Sequence, residues 1–171
     1  RRMAHLPAAP VFHRRPCAQR WDLAVSGSGG AVPVNADDVV MGSPVSITDG
    51  LDQSAVTLTS LVIGASFDNA YIGLPRTNAG GYPEFRGQYL QIGATTVRVG
   101  VGAGQGSGRI KLDFGAVQTA IEVRRTGNDA EQGIPSLLLK GTHASNALDA
   151  QAGSIAVALF GGETATLLTC R

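Results

Sequence analysis

The chain has 171 residues, enough for one domain with a substantial core. Hydrophobic residues make up 43% of it and charged residues 16%, a composition too apolar for a disordered protein. The formal net charge is +1 at pH 7, and the sequence lacks the continuous run of about 18 apolar residues that a transmembrane helix requires.

The first 20 residues predict an extended basic arm. They contain three prolines and no acidic residue, and their charge comes from five arginines: Arg1, Arg2, Arg14, Arg15 and Arg20. One interpretation is a solvated terminus, and the other is an assembly arm that orders on the acidic surface of a partner. The remaining residues, 21–171, form the predicted domain. They carry nine basic and thirteen acidic side chains, a balance that gives no sign of a nucleic-acid-binding groove.

Residues 21–64 predict a cap followed by short strands. Trp21, a Gly/Ser turn and Pro33 would cover the first layer of strands, whose apolar cross-section would otherwise be exposed. Alternation of apolar and polar residues then predicts strands at 39–41, 45–47, 56–58 and 61–63.

Residues 65–87 interrupt this rhythm and predict a protruding loop. The segment contains two prolines, a Gly80-Gly81 pair and four aromatic residues: Phe67, Tyr71, Tyr82 and Phe85. Aromatic side chains of this kind anchor protein interfaces, so the loop predicts contact with another copy of the chain. The alternative is that the rings fold back and cover one flank of the domain.

Residues 88–123 carry the clearest pattern of the sequence. Apolar residues recur there as i, i+2 pairs, each of which points to one face of a strand, and no helix-length segment separates them. The pairs are Leu90 and Ile92, Val97 and Val99, Ile110 and Leu112, and Ile121 and Val123. Repeated short strands can bury such pairs by coiling, each coil stacking on the last. The predicted fold is therefore all-β, a single-domain parallel β-solenoid (β-helix) with an extended N-terminal arm.

The glycine run at 100–108 predicts a turn between two strands. It does not match G-x-G-x-x-G, and the strand predicted at 110–112 leaves no helix N-terminus for the phosphates of a nucleotide. Residues 124–135 predict a second protrusion, and strands are predicted at 137–139, 148, 155–157 and 167–168.

Two cysteines, Cys17 and Cys170, lie near opposite ends of the chain. Two cysteines do not make a disulfide framework. A solenoid holds its ends apart, so we expect two free thiols.

The segment WDLAVSGSGGAVPVNADDVV resembles the "Trp…Gly-x-Val-Pro…Asp-x-Val" opening of bacterial and phage surface β-helices, including autotransporter-like passengers. The block from YLQIGATTVRVG through GSGRIKLDFGAVQTAIEV to LLLKGTHASN is similar to uncharacterised phage and planctomycete proteins of virion or cell-surface structures. The resemblance covers residues 21–168 and implies a β-helix. That family has no established active site, so the resemblance implies no site residues.

No pattern in the sequence predicts a catalytic, metal or cofactor site. His143 and Ser145 lie two residues apart in a turn-forming segment, without the third group that orients the base of a nucleophilic triad. The carboxylates in segments 37–38 and 49–52 lack the repeat of calcium-binding solenoids, and we interpret them as solvated turn residues.

Because many β-helices cleave polysaccharides, we consider whether the outward carboxylates Asp113 and Glu122 could form the catalytic pair of a glycosidase. A glycosidase requires two carboxyl groups about 5–10 Å apart in a cleft. Aromatic platforms for sugars would also be expected, yet aromatic residues make up 5% of the chain and few lie in the regular strands. We therefore interpret Lys111 and Asp113 as a pair on the surface of a strand and expect no enzyme.

These observations predict a non-enzymatic structural protein. The expected role is a phage virion component, in capsid decoration or cement or in a tail appendage, located in the virion and without a cofactor. The expected partners are the chain itself, as a homo-oligomer with a trimer as the expected number, and a capsid or tail protein surface, with no nucleic acid and no membrane span. The alternative is a secreted or cell-surface adhesin or filament subunit, located outside the cell. The third candidate is a carbohydrate-active β-helix.

Overall fold

The computed structural model describes residues 19–20, 32–77, 83–127, 135–158, 163–167 and 169–171. Within these ranges the protein is all-β and contains no helix. The strands are β1 (Gln19–Arg20), β2 (Asp38–Met41), β3 (Ile47–Asp49), β4 (Asp52–Gly64), β5 (Tyr71–Ile72), β6 (Leu74–Thr77), β7 (Pro83–Gln88), β8 (Leu90–Val101), β9 (Arg109–Asp113), β10 (Ala120–Val123), β11 (Leu137–Lys140), β12 (Ala147–Ala150), β13 (Ile155–Val157) and β14 (Thr169–Cys170).

Twelve of these strands form one parallel sheet that does not close on itself within the described ranges. It contains two series of neighbours, joined where Leu90 at the start of β8 pairs with Leu112 of β9. The first series is β1–β3–β5–β9–β11–β13. The second series is β2–β4–β8–β10–β12–β14. The chain alternates between the two series, and the antiparallel hairpin β6–β7 is inserted between β5 and β8.

The strands of each series stack in register. In the second series Leu61 of β4 lies beside Val97 of β8, which lies beside Ile121 of β10 and then Leu148 of β12. In the first series Ile110 of β9 lies beside Leu137 of β11. Residues of the same position in successive strands therefore form apolar columns along the stack.

These columns meet in one apolar core. All eight residues predicted from the i, i+2 pairs are buried, with at most 4% of each exposed, and the prediction of inward-facing pairs is confirmed. They join residues of both series in a single cluster. Burying side chains of this size stabilises a fold by about 1.5–3 kcal/mol each, so these columns are the main source of stability in the described sheet.

The glycine run forms the turn that the sequence predicts, and this turn stacks on the preceding one. The Gly106 N–H donates to the Ala65 carbonyl at 2.7 Å, and the Ser107 N–H donates to Asp68 Oδ1 at 2.8 Å. The hydrogen bond from the Ser107 N–H is the first cause that holds the pKa of Asp68 below its ordinary value. Stacking therefore extends from the strands into the loops.

Three expectations about the first half of the chain need correction. The residues predicted as two strands, 56–58 and 61–63, form one strand, β4. Thr59 and Ser60 between them do not form a turn, because they donate hydrogen bonds to Asp37 and Asp38 at the start of β2. Strand β3 begins at Ile47, two residues after the predicted start. The segment 65–87 is not a single loop, since it contains β5 and the hairpin β6–β7.

The predicted interface residue Phe67 lies in the core. Its ring is 1% exposed, and the prediction that it anchors a contact with another chain is wrong, because the turn stacked above it encloses it. A Cβ atom at Gly108 would lie 2.3 Å from the ring, which shows how closely this turn covers it. Phe67 is therefore a core residue, which neither the interface interpretation nor the one in which the rings cover a flank of the domain predicts.

Candidate functional site

Among the described polar residues, those with the most unusual burial lie at the outer side of β9 and β11, the side that faces away from the core. In β9, Ile110 and Leu112 point into the core, so strand alternation places Arg109, Lys111 and Asp113 on the opposite side. Lys111 is nevertheless only 8% exposed. A lysine on the outer side of a strand is normally solvated, and burial of this one requires a cover.

That cover comes from the chain on either side of the hairpin β6–β7. A Cβ atom at Gly73 would lie 3.1 Å from the Lys111 Cβ and 2.5 Å from the Gln88 carbonyl oxygen, so Gly73 leaves room for the lysine stem. Leu138 lies beside Lys111 in the register of β11 and is 1% exposed, although it is not part of the core cluster. Both residues are therefore covered on the side of the sheet that faces away from the core.

Tyr89, between β7 and β8, links this covered region to the C-terminal segment. It is 4% exposed, and its hydroxyl donates a hydrogen bond of 3.0 Å to Glu163 Oε2, 74 residues further along the chain. The Lys140 ammonium lies 4.4 Å from the centre of the Tyr89 ring, a cation–π contact. The same ammonium pairs with Asp113 Oδ2 at 3.4 Å. We call Tyr89, Lys111, Asp113, Lys140 and Glu163 the Tyr89 cluster.

Burial dominates the electrostatics of this cluster. It raises the pKa of Tyr89 well above its ordinary value, with the charge of Glu163 and its hydrogen bond acting in the same direction. It also lowers the pKa of Lys111 to about 8, with the charge of Arg109 as a second cause and Glu163 opposing both. Tyr89 is thus a permanent hydrogen-bond donor near neutral pH, and Lys111 changes charge in the slightly alkaline range.

The prediction that Lys111 and Asp113 form a pair on the surface of the strand is wrong. Asp113 pairs with Lys140, its direct neighbour in β11, because parallel register places these two residues side by side. Lys111 is buried and is not part of that surface pair. Alternation predicts the correct side of the strand for Lys111, but it gives no information on the cover from Gly73 and Gln88, which lie 38 and 23 positions earlier in the chain.

The other outward carboxylate, Glu122, belongs to a surface ion-pair group. Its Oε2 accepts a hydrogen bond of 2.8 Å from Arg98 Nε, and its Oε1 pairs with Arg124. The hydrogen bond from Arg98 is the first cause that lowers the pKa of Glu122.

The remaining predicted interface residues are placed only in part. Tyr71 is 42% exposed, with the Arg109 guanidinium 5.7 Å from its ring centre. Phe85 lies in β7, and Tyr82 lies outside the described residues.

The predicted arm is also described only at its end. Arg1, Arg2, Arg14 and Arg15 lie outside the described residues. Arg20, with Gln19, forms β1 and pairs with β3, so the last two residues of the arm belong to the sheet.

Among the other residues considered for chemistry, His143 has a local role. Its Nδ1 accepts a hydrogen bond of 3.1 Å from the Ser145 N–H, and its carbonyl accepts one from the Asn146 N–H, as a turn requires. Cys170 is an exposed free thiol, as predicted, whereas Cys17 lies outside the described residues.

Within the described ranges, no group of three or more His, Cys, Asp or Glu side chains is arranged to hold a metal ion. No helix in those ranges is long and apolar enough to cross a membrane. No family model, no curated protein and no solved structure matches this chain.

Proposed function

We propose that the chain is a β-solenoid that acts as a structural scaffold without enzymatic activity, as a component of a phage virion. The observation that carries the proposal is the alternation of the chain between two series of parallel, in-register strands. A chain that returns repeatedly to the same two series adds one layer at each return, which is how a solenoid is built.

The use of polar residues supports a scaffold. Asp68 bonds to the turn stacked on it, Asp38 accepts a hydrogen bond from Ser60 of the next strand, Asp113 pairs with Lys140 of β11, and Glu122 pairs with Arg98 of β8. Each of these carboxylates connects one layer to another. Carboxylates that hold neighbouring layers together in this way support a scaffold role.

The virion role rests on the sequence motifs and on the kind of surface that the scaffold presents. Capsid decoration, a cement protein and a tail appendage all require a rigid body that carries an attachment segment, and the arginine-rich residues 1–20 are suited to bind an acidic capsid or tail surface. A protein with this role works in the virion, without a cofactor, nucleic acid or membrane span.

Self-association is part of the proposal, with a trimer as the expected number. Val40 of β2 is 49% exposed and lies beside Val62 of β4, and Tyr71 is 42% exposed. Exposed apolar and aromatic side chains on the surface of a sheet favour contact between copies. Light scattering at micromolar concentration measures this directly, and a stable monomer would overturn this part of the proposal.

Immunoelectron microscopy tests the location. Antibodies raised against the purified protein are applied to phage particles and to cells from the source culture, with antibody absorbed by excess protein as the control. Labelling of capsids or tails is expected. Labelling of the cell envelope or of extracellular filaments would favour the adhesin or filament subunit, and would overturn the virion role.

The third candidate, a carbohydrate-active β-helix, is tested by activity. A reducing-sugar assay on bacterial polysaccharides is expected to give no product with the wild-type chain. Turnover that is lost in Asp113→Asn or Glu122→Gln, but kept in the exposed Asp149→Asn control, would overturn the non-enzymatic proposal.

A further inference from the structure

The side-chain amide of Asn146, directly before β12, is buried. The residue is 2% exposed, and its Oδ1 accepts a hydrogen bond of 2.9 Å from the backbone N–H of Thr119, directly before β10. Because the atom that faces an N–H must be an acceptor, this bond fixes which end of the amide carries the oxygen. The Nδ2 group therefore lies at the end of the amide that does not face Thr119.

The Nδ2 group of Asn146 lies close to Gly141. A Cβ atom built on Gly141 would be 3.1 Å from it. The group has two N–H donors, and no backbone or side-chain group within the described ranges accepts a hydrogen bond from them. A buried donor without an acceptor is strongly unfavourable, and such donors are bonded to ordered water where the protein supplies no partner. The position of this amide therefore requires an acceptor.

A small cavity adjoins the amide. Its volume is about 10 Å³, and its lining includes Asn146, Gly141 and Lys140 together with apolar side chains such as Ile121 and Leu139. This volume is about the least that holds one water molecule, and it is too small for an organic ligand. The cavity and the buried amide are independent observations that indicate a small ligand at the same place.

The chemistry of the lining favours water over an ion. The Nδ2 hydrogens carry partial positive charge and would repel a metal cation. An anion would require a neighbouring positive charge, but the ammonium of Lys140 pairs with Asp113 Oδ2 at 3.4 Å and lies 4.4 Å from the centre of the Tyr89 ring. A water molecule accepts from an N–H and donates to carbonyl oxygens, so it satisfies both kinds of group.

We propose that Asn146 Nδ2 and this cavity form a binding site for one structural water molecule. The water accepts a hydrogen bond from Nδ2 and donates to lining carbonyl groups such as that of Gly141, which uses one of its two lone pairs for the Thr166 N–H at 2.8 Å. Asn35 shows why burial matters: its Oδ1 accepts from the Thr57 N–H at 2.7 Å in the same way, but it is exposed and bulk solvent reaches its amide. The site does not depend on the virion role.

A high-resolution crystal structure of the full chain tests the site. One density peak for water is expected about 2.7–3.2 Å from Asn146 Nδ2. Nuclear Overhauser spectra of the ¹⁵N-labelled chain in solution should show a cross-peak between water and the Asn146 side-chain N–H₂ group, with the sign of a long-lived water. The crystal peak distinguishes bound water from proton exchange with nearby hydroxyl groups. A dry cavity, or an oxygen of the chain itself bonded to Nδ2 in place of water, would overturn the proposal.

Gly141→Ala tests the position of the water. The added methyl group would lie 3.1 Å from Nδ2 and occupy the space beside it, so both the density peak and the cross-peak should be lost. Gly42→Ala is the matched control, because its Cβ would meet a single atom, Ser66 Oγ, at 3.8 Å, and neither glycine has a positive φ. The control should keep both signals. Retention of the water in Gly141→Ala would overturn the assigned site, and the wild-type measurements keep the test decisive if that variant does not fold.

Discussion

Gly100 and Gly102 offer a direct test of the stacked turns. Both have positive φ, +75° and +89°, so alanine at either position must adopt a backbone conformation that costs about 1–2 kcal/mol. Their surroundings differ. A Cβ at Gly100 would lie 2.0 Å from the Arg125 carbonyl oxygen in the next turn of the stack, whereas a Cβ at Gly102 would meet no atom within 4 Å.

Gly100→Ala should therefore carry a steric cost that Gly102→Ala does not. Displacing a backbone in a packed stack costs about 1–3 kcal/mol beyond the conformational term. We expect Gly102→Ala to lower the free energy of unfolding by about 1–2 kcal/mol and Gly100→Ala to lower it by about 2–5 kcal/mol. Urea unfolding followed by circular dichroism measures both values. Equal destabilisation by the two variants would refute the close stacking of the turns at Gly100 and Arg125.

Three further predictions address the core, a buried hydrogen bond from the backbone to a side chain, and the N-terminal arm. Leu112→Ala, at a position that is fully buried, should lower the free energy of unfolding by about 2–5 kcal/mol, while the exposed Val40→Ala should change it by less than about 0.5 kcal/mol; similar values for the two would contradict the assigned core. Asn146→Ala removes the acceptor of the buried Thr119 N–H, a 2.9 Å bond, and should cost about 1–3 kcal/mol in urea unfolding. Asn35→Ala removes the comparable but exposed hydrogen bond from the Thr57 N–H and should lower the free energy of unfolding by less. A larger loss in Asn35→Ala than in Asn146→Ala would contradict the stabilising role of the buried bond. Deletion of residues 1–18, which spares β1, should leave the unfolding midpoint unchanged and weaken particle binding in sedimentation assays; full binding by the truncated chain would reject the assembly arm.

The sequence predicts the inward side of the strands well because alternation is a local property. Ile110 and Leu112 had to share a face whichever strands lay beside them, and both lie in the core. The parallel pairing of neighbouring strands followed from the same short, repeated pattern. The turn expected at Thr59 is absent, because a polar residue within a strand can hydrogen-bond to the next strand and need not form a turn.

The Tyr89 cluster could not be predicted in the same way. Lys111 and Leu138 occupy outward positions, which a local pattern assigns to solvent, yet both are buried. Their burial depends on segments distant in the sequence, and the bond between Tyr89 and Glu163 spans 74 residues. The single signal in the sequence is Leu138 itself, an apolar residue between two inward leucines, which indicates that the outer side of β11 is also covered.

The in-register stacking of the second series also has a mechanical consequence. Tension applied across the strands, from β2 towards β14, acts on every strand pair of the series at once. The weakest pair opens first, and its hydrogen bonds break one by one from the end that is pulled. Tension applied along the strands shears all the bonds of a pair at once. The described sheet should therefore be compliant in one direction and stiff in the other, and single-molecule pulling in the two geometries should give a lower rupture force across the strands. A stack of in-register strands therefore resists shear along its strands, whereas the strands at its two ends can be detached one at a time.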